Sequence, residues 1–311
     1  MNIVIPDDYQ NCVTGLACYQ KLAGHSVTVY NDTVKNVDDL VARFKDADAI
    51  VLTRERTRIT DELLAQLPKL KLISQTGKVA NHIDMEACKK HGVTVLEGSG
   101  SGAATAELGM LLILSSLRRF TDEVARMQNG QWQGFVGRQL QGKTLGVLGF
   151  GRIGEQICKL GQAFGAKPLV WGRPSSVAKA VDKGFAAAAT REAFFSSCDI
   201  ISVQLRLGEE TKNYVTAADL ALMKSDAIFV NTSRAELVEE GALYNALKLG
   251  HPGFAAVDVY EEEPLIGIRH PLQDLPNCLC SPHIGFVERD NYEAYYGTAF
   301  DNINTFFSNH S

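Results

Sequence analysis

Short apolar runs recur along the chain, each cut off by a glycine or a polar residue, and stretches with helical patterning separate them. "NIVIPD", "SVTVYND", "AIVLTR", "KLISQTG" and "VTVLEG" each predict a buried strand. Segments such as "DDLVARFKDA" and "TDELLAQL" lie between them, the second opened by a Thr60/Asp61 cap signal. A second series follows in "KTLGVLGFG", "PLVW", "DIISVQL", "AIFVNTS", "GFAAVDV" and "CLCSPH". Strand–helix alternation of this kind predicts parallel sheets with helices on both faces. The fold class expected is therefore α/β, with two Rossmann-like, doubly wound parallel-sheet domains and an interdomain cleft.

Between the two series lies a glycine- and serine-rich joint, "EGSGSGAATAE", leading into a long helical stretch from Ala106 to about Met127. After His283 the chain turns helical again in "RDNYEAYYGTAFDNINTFFSN". A last helix with nowhere else to pack returns to the first series. The predicted domains are a discontinuous substrate-binding domain, 1–100 with 287–311, and a dinucleotide-binding domain, 101–286.

Composition narrows the function. The chain has 311 residues, 45% of them hydrophobic, enough for two cores. A net charge of −5 and a pI near 5.8 argue against a nucleic-acid partner, which needs a basic face. The apolar N-terminus has no basic region before it, and "MLLILSSL" is too short to span a bilayer, so no membrane role and a cytoplasmic location are expected. The seven cysteines are scattered without a CxxC pair. They predict reduced thiols and no metal site. Cys278 and Cys280 alternate, so they share one face of a strand.

Gly149-Phe150-Gly151-Arg152-Ile153-Gly154 matches GxGxxG with a strand before it and a helix after it. Gly149 makes the tight turn, Gly151 admits a pyrophosphate, and Gly154 lets the helix pack on the strand. The amides of Arg152 and Ile153 face the phosphates at the helix N-terminus. The next strand, "PLVW", runs into Gly172 and Arg173, where NAD-binding loops carry an acid for the ribose. Arg173, with Ser175 and Ser176, suits the 2′-phosphate of NADP. A solvated Arg173 and NAD remain the other reading. Thr232, in "AIFVNTS", is a further cofactor candidate.

Arg234, Glu263 and His283 each follow a predicted strand, and in open α/β sheets ligands bind beyond the strands' carboxyl ends. Their chemistry is complementary. Reduction of a 2-oxo acid needs a hydride at C2 and a proton on its oxygen. An imidazole titrating near neutrality supplies the proton. A neighbouring acid favours imidazolium and orients the ring. An arginine holds the carboxylate and polarises the carbonyl.

"LGFGRIG", "VNTSRAELV", "AAVDVYEEEP" and "SPHIG", in this order, resemble the D-isomer-specific 2-hydroxyacid dehydrogenases. That family includes glyoxylate/hydroxypyruvate reductases and 3-phosphoglycerate dehydrogenases. The resemblance implies Arg234 as the substrate-orienting arginine, Glu263 as the glutamate and His283 as the acid/base. It implies Asp258 at the nicotinamide carboxamide, and the backbone of Lys78 and Val79, in "LKLISQTGKVANHIDMEAC", at the substrate carboxylate. Arg54 falls where phosphoglycerate-specific members carry a phosphate-binding arginine, and a solvated turn balanced by Glu55 is its other reading. The chain departs from the family at Ala235, Arg206 and Lys78-Val79-Ala80. A homodimer through "ELGMLLILSSLRRF" and "GQW" is implied. The expected activity is NAD(P)H-linked reduction of a small 2-oxo acid, glyoxylate- or hydroxypyruvate-like, to a D-2-hydroxy acid. The alternatives are an NAD-linked phosphoglycerate dehydrogenase and a corepressor-like nucleotide sensor.

Overall fold

The computed structural model describes residues 1–98 and 100–309. The chain divides into two compact units, Met1–Ser101 with Glu288–Ser311, and Gly102–Val287.

The first unit holds strands β1 (Asn2–Ile5), β2 (Ser26–Val29), β3 (Ala49–Leu52), β4 (Leu72–Gln75) and β5 (Thr94–Glu97). All are parallel, in the order β2-β1-β3-β4-β5. Every residue of β3 and β4 is buried, as expected for central strands covered on both faces. Helices α1 (Val37–Phe44), α2 (Asp61–Leu64) and α3 (Met85–Lys90) connect them. Each begins at a side-chain cap. Asn36, Thr60 and Asp84 accept from the amides of Asp38, Leu63 and Ala87. Between β1 and β2 the chain forms 3-10 turns over Val13–Gly15 and Ala17–Leu22 instead of an α-helix.

In the second unit come α4 (Ala103–Arg118), α5 (Phe120–Gln128), β6 (Thr144–Leu148), α6 (Arg152–Ala163), β7 (Lys167–Trp171), α7 (Pro174–Asp182) and β8 (Ala186–Ala187). They are followed by α8 (Arg191–Ser197), β9 (Ile200–Val203), α9 (Ala217–Leu222), β10 (Ile228–Asn231), α10 (Ala242–Leu249), β11 (Phe254–Val257) and β12 (Cys278–Cys280). The sheet order is β12-β11-β10-β9-β6-β7-β8. Strand order reverses between β6 and β9, and that reversal opens a crevice at their carboxyl ends. One apolar cluster packs Phe194, Phe195, Leu220 and Leu243 on one face of the sheet. A second packs Ile113, Ile157 and Cys158 of α4 and α6 on the other.

The long helix expected from Ala106 to Met127 is broken. Arg119 adopts a left-handed conformation, φ 49°, and ends α4. Four interactions hold Arg119 there, one of them with the Phe254 ring, whose centre is 4.9 Å from the guanidinium. Its Nε donates to Asp122 at 2.5 Å, its Nη2 donates to the Pro276 carbonyl at 3.0 Å, and its guanidinium lies 4.4 Å from the Phe135 ring centre. Residues distant in sequence thus offset the cost of the left-handed turn. Strand β8, two residues long, lies in a run of four alanines, a residue with little strand preference to announce it.

The last helix, α11 (Arg289–Ser308), belongs to the first unit. The Tyr296 hydroxyl shares a 2.7 Å hydrogen bond with Thr53, and the Ser74 hydroxyl donates to the Ala299 carbonyl at 2.9 Å. Tyr296 and Phe300 are fully buried, and this explains the aromatic content of the segment.

Candidate active site

The glycine loop leaves β6 and enters α6. Gly149 has φ 97°, and its amide donates to the Trp171 carbonyl at 2.7 Å. A Cβ at Gly154 would stand 2.2 Å from the Gly149 carbonyl oxygen, so only glycine lets α6 approach β6 this closely. At Gly151 a Cβ would meet nothing within 4 Å. Open space thus lies over the backbone where α6 begins, and no side chain caps that end. The first-turn amides of Arg152 and Ile153 have no carbonyl a turn earlier in the helix to bond. An open, uncapped cradle on a twelve-residue helix fits a pyrophosphate. These residues would hold the dinucleotide.

At the tip of β7, Arg173 is the N-cap of α7, followed by Pro174, Ser175 and Ser176. Arg173 and Ser175 are exposed. A guanidinium and two hydroxyls thus lie within the first turn of α7. No carboxylate stands in this stretch to repel a phosphate.

On the other side of the reversal, β10, β11 and β12 lie side by side, and Arg234, Glu263 and His283 extend beyond their carboxyl ends. His283 Nδ1 is 2.5 Å from Glu263 Oε2. Glu263 is itself fixed, because its Oε1 accepts from the Tyr260 amide at 2.9 Å. The Phe286 ring meets the imidazole edge-on at 5.4 Å. His283 sits in the left-handed region, φ 50°, unusual for a residue with a side chain. Asp258 maintains this turn. Its Oδ1 accepts from the Ser281 hydroxyl at 2.6 Å and the Ile284 amide at 2.9 Å, and its Oδ2 from the Gly285 amide at 2.8 Å. Asp258, which the resemblance placed at the nicotinamide, has no exposed surface. Burial pushes its carboxyl up, against the lowering effect of those donors.

Arg234 Nη1 donates to the Ser233 carbonyl at 2.6 Å, and the Asn231 side chain donates to the Arg234 carbonyl at 2.8 Å. Thr232 is buried and accepts from Gln204 Nε2 at 3.2 Å. Gln204 follows β9, across the strand reversal from the glycine loop.

In the first unit, Arg54 has φ 54° and lies against Gly77. A Cβ there would stand 2.3 Å from Arg54 Nη1. Lys78 Nζ binds Glu97 Oε2 at 2.6 Å, and the Val79 amide donates to Glu97 Oε1 at 2.7 Å. A carboxylate of the chain itself thus rests on the lysine and amide expected to bind a substrate carboxylate. Glu97 was not singled out in the sequence. It lies at the end of β5, and only the pairing of β4 with β5 brings it opposite the loop that follows Gln75. Tyr260, Ser281 and Gln204 were likewise missed. Ser281, directly before Pro282-His283, was the one with a local signal.

The family described as "D-isomer specific 2-hydroxyacid dehydrogenase, NAD binding domain" matches residues 110–285. The chain belongs to this family. It is a nicotinamide-dinucleotide-linked oxidoreductase acting on 2-oxo or 2-hydroxy acids. Over 264 residues it is 35% identical to the glyoxylate reductase of Aeropyrum pernix, a match covering 81% of this chain and 78% of that one. It is 36% identical over 253 residues to the D-3-phosphoglycerate dehydrogenase of Methanocaldococcus jannaschii, covering 80% of this chain and 47% of the relative. The chain thus spans about half the length of the curated phosphoglycerate dehydrogenases from that archaeon and from Bacillus subtilis. A crystal structure titled phosphoglycerate oxidoreductase, from Vibrio cholerae, superposes with a TM-score of 0.96 at 50% identity, covering 99% of each chain.

Proposed function

We propose that this enzyme reduces a small 2-oxo acid of the glyoxylate or hydroxypyruvate kind to its D-2-hydroxy acid, with NADPH preferred over NADH. The observation that carries the chemistry is the contact between His283 and Glu263 beyond the carboxyl edge of the sheet. The bound nicotinamide supplies the hydride. His283 donates the proton to the substrate oxygen from Nε2, because Nδ1 is engaged by Glu263. Glu263 holds the ring in that orientation. Arg234 pairs with the substrate carboxylate and polarises the carbonyl. Thr232 lies on the cofactor side, and Asp258 acts by holding the turn that carries His283. In the first unit, Lys78 and Val79 hold the carboxylate of Glu97. The test is consumption of reduced nicotinamide across a panel of 2-oxo acids. If neither NADPH nor NADH is consumed with any of them, the proposal fails.

The NADPH preference rests on Arg173, Ser175 and Ser176 at the start of α7. A hydrogen bond to a charged group is worth about 1.5 kcal/mol or more, roughly tenfold in affinity. Arg173→Asp should therefore lower the ratio of kcat/KM for NADPH to that for NADH by about 10-fold, since it also places a carboxylate beside the phosphate. An unchanged ratio would assign Arg173 to solvent.

Arg54 favours a second reading, with a phosphorylated substrate. Its guanidinium lies over Gly77, beside Lys78 and Val79, and the 50%-identical structure is titled for phosphoglycerate. Including 3-phosphohydroxypyruvate in the panel, with an Arg54→Ala variant, separates the two substrate classes.

A homodimer is proposed from the face of α5, none of whose residues is buried. Phe120, Met127, Trp132 and Val136 are exposed in one short span of chain, an apolar density unusual for a monomer's surface. Sedimentation equilibrium should give twice the chain mass, and a single-chain mass at micromolar concentration refutes it. All seven cysteines are free thiols, which supports a reducing compartment, here the cytoplasm. Cell fractionation checks this, and recovery in an oxidising compartment would overturn it.

A further inference from the structure

Cys278 and Cys280 have no part in the chemistry above, yet they are built into the element that ends at His283. Their sulfurs are 3.8 Å apart on one face of β12, and both are partly exposed. Cys18, Cys88, Cys158 and Cys198 are buried, with thiols pushed up to between about 11 and about 12, chiefly by burial. Cys12 is partly exposed, and burial, reinforced by Asp8, pushes its thiol up to about 11. Cys280 alone among these shifts downward, chiefly because the Cys278 thiol donates to it.

The pair is mechanically coupled to the imidazole. The Ser281 carbonyl accepts from the Tyr260 hydroxyl at 2.9 Å and from the His283 amide at 3.1 Å. Tyr260 also holds Glu263 through its own amide. Any displacement of β12 therefore reaches both members of the acid–base pair. One long side of the strand has no partner strand. It forms the edge of the sheet and pairs only with β11. Residues two apart in a strand have Cα atoms about 6.6 Å apart. Disulfides favour about 5.5–6 Å and end near 6.8 Å. Closing the bond must therefore draw in the end of β12.

We infer that Cys278 and Cys280 form a peroxide-sensitive dithiol, whose oxidation to a disulfide distorts the turn carrying His283 and lowers turnover. The Cys280 thiolate attacks one oxygen of hydrogen peroxide. The S–O bond forms, the O–O bond breaks, and the departing hydroxide takes a proton and leaves as water. The Cys278 sulfur then attacks the resulting sulfenic acid. The S–S bond forms as the S–O bond breaks, and the thiol proton leaves with hydroxide as a second water. The peroxide is the two-electron oxidant, and an external dithiol reduces the disulfide by exchange, becoming oxidised itself.

The test uses the full chain treated with hydrogen peroxide and then with dithiothreitol. Trypsin releases residues 270–289 as one peptide holding these two cysteines and no others. That peptide should become two hydrogen masses lighter, and kcat should fall by about 10-fold or more, since small misplacements of catalytic groups cost this much. Cofactor affinity should change little, and dithiothreitol should restore both mass and rate. Cys280→Ser should resist inactivation. Cys278→Ser should be inactivated beyond rescue by dithiothreitol as Cys280 passes to the sulfinic acid. A peptide that gains oxygen without losing hydrogens, a disulfide with unchanged kcat, or equal inactivation of Cys280→Ser and the parent overturns the inference. The activity readout rests on the proposed role of His283 and the mass readout does not, so an enzyme inactive before treatment would indict that role alone.

Discussion

His283→Gln should lower kcat by about 10²–10⁴-fold, the usual contribution of a positioned acid or base, with cofactor affinity nearly unchanged. Glutamine keeps a side chain of similar reach but has no group that ionises near neutrality. The Glu263 contact is at Nδ1, so the substitution also removes the charge-assisted bond that orients the ring. Glu263→Gln should show the separate contribution of that bond. It leaves the imidazole in place and removes only the carboxylate that orients it, so its loss should be smaller. Stopped-flow single turnovers with saturating cofactor measure the chemical step directly. Parent-like turnover in His283→Gln would remove the acid–base assignment, whatever the fate of the cofactor reading.

Asp258→Asn should cost about 1–3 kcal/mol of stability, the penalty for a buried donor without an acceptor. The substitution is nearly isosteric, which isolates the hydrogen bonds. Asp258 uses both oxygens as acceptors, toward Ser281, Ile284 and Gly285, and an amide has only one. Either way round, an NH₂ group faces at least one backbone N–H. His283 lies two residues before Gly285 in a left-handed conformation, so turnover should drop by about 10²-fold through misplacement alone. Thermal unfolding followed beside steady-state kinetics checks both halves. Full stability with low turnover would place Asp258 in contact with the reacting groups. Parent-like values in both would show that the turn does not depend on it.

Much of this protein is local, and the local part was legible. Parallel strands covered on both faces need continuous apolar runs, so "AIVL", "LISQ", "IISV" and "IFVN" marked β3, β4, β9 and β10. The Thr60 cap acts across three residues, and the glycine loop within six, so their chemistry is written contiguously. The rest depends on distance. Arg119 ends α4 because Phe135 and Pro276 meet it in space, and no neighbouring residue announces that break. Glu97 reaches Val79 only through the pairing of β4 with β5. Glu263 and His283, twenty residues apart, meet because β11 and β12 run in parallel to a common edge. Amino-acid order by itself determined the strands, the phosphate loop and the identities of the reactive groups, since backbone preference and side-chain type act over a few residues. Sheet order and turn geometry decided which of those groups touch, because a hydrogen bond of under 3 Å between distant residues depends on where the whole sheet places its strand ends.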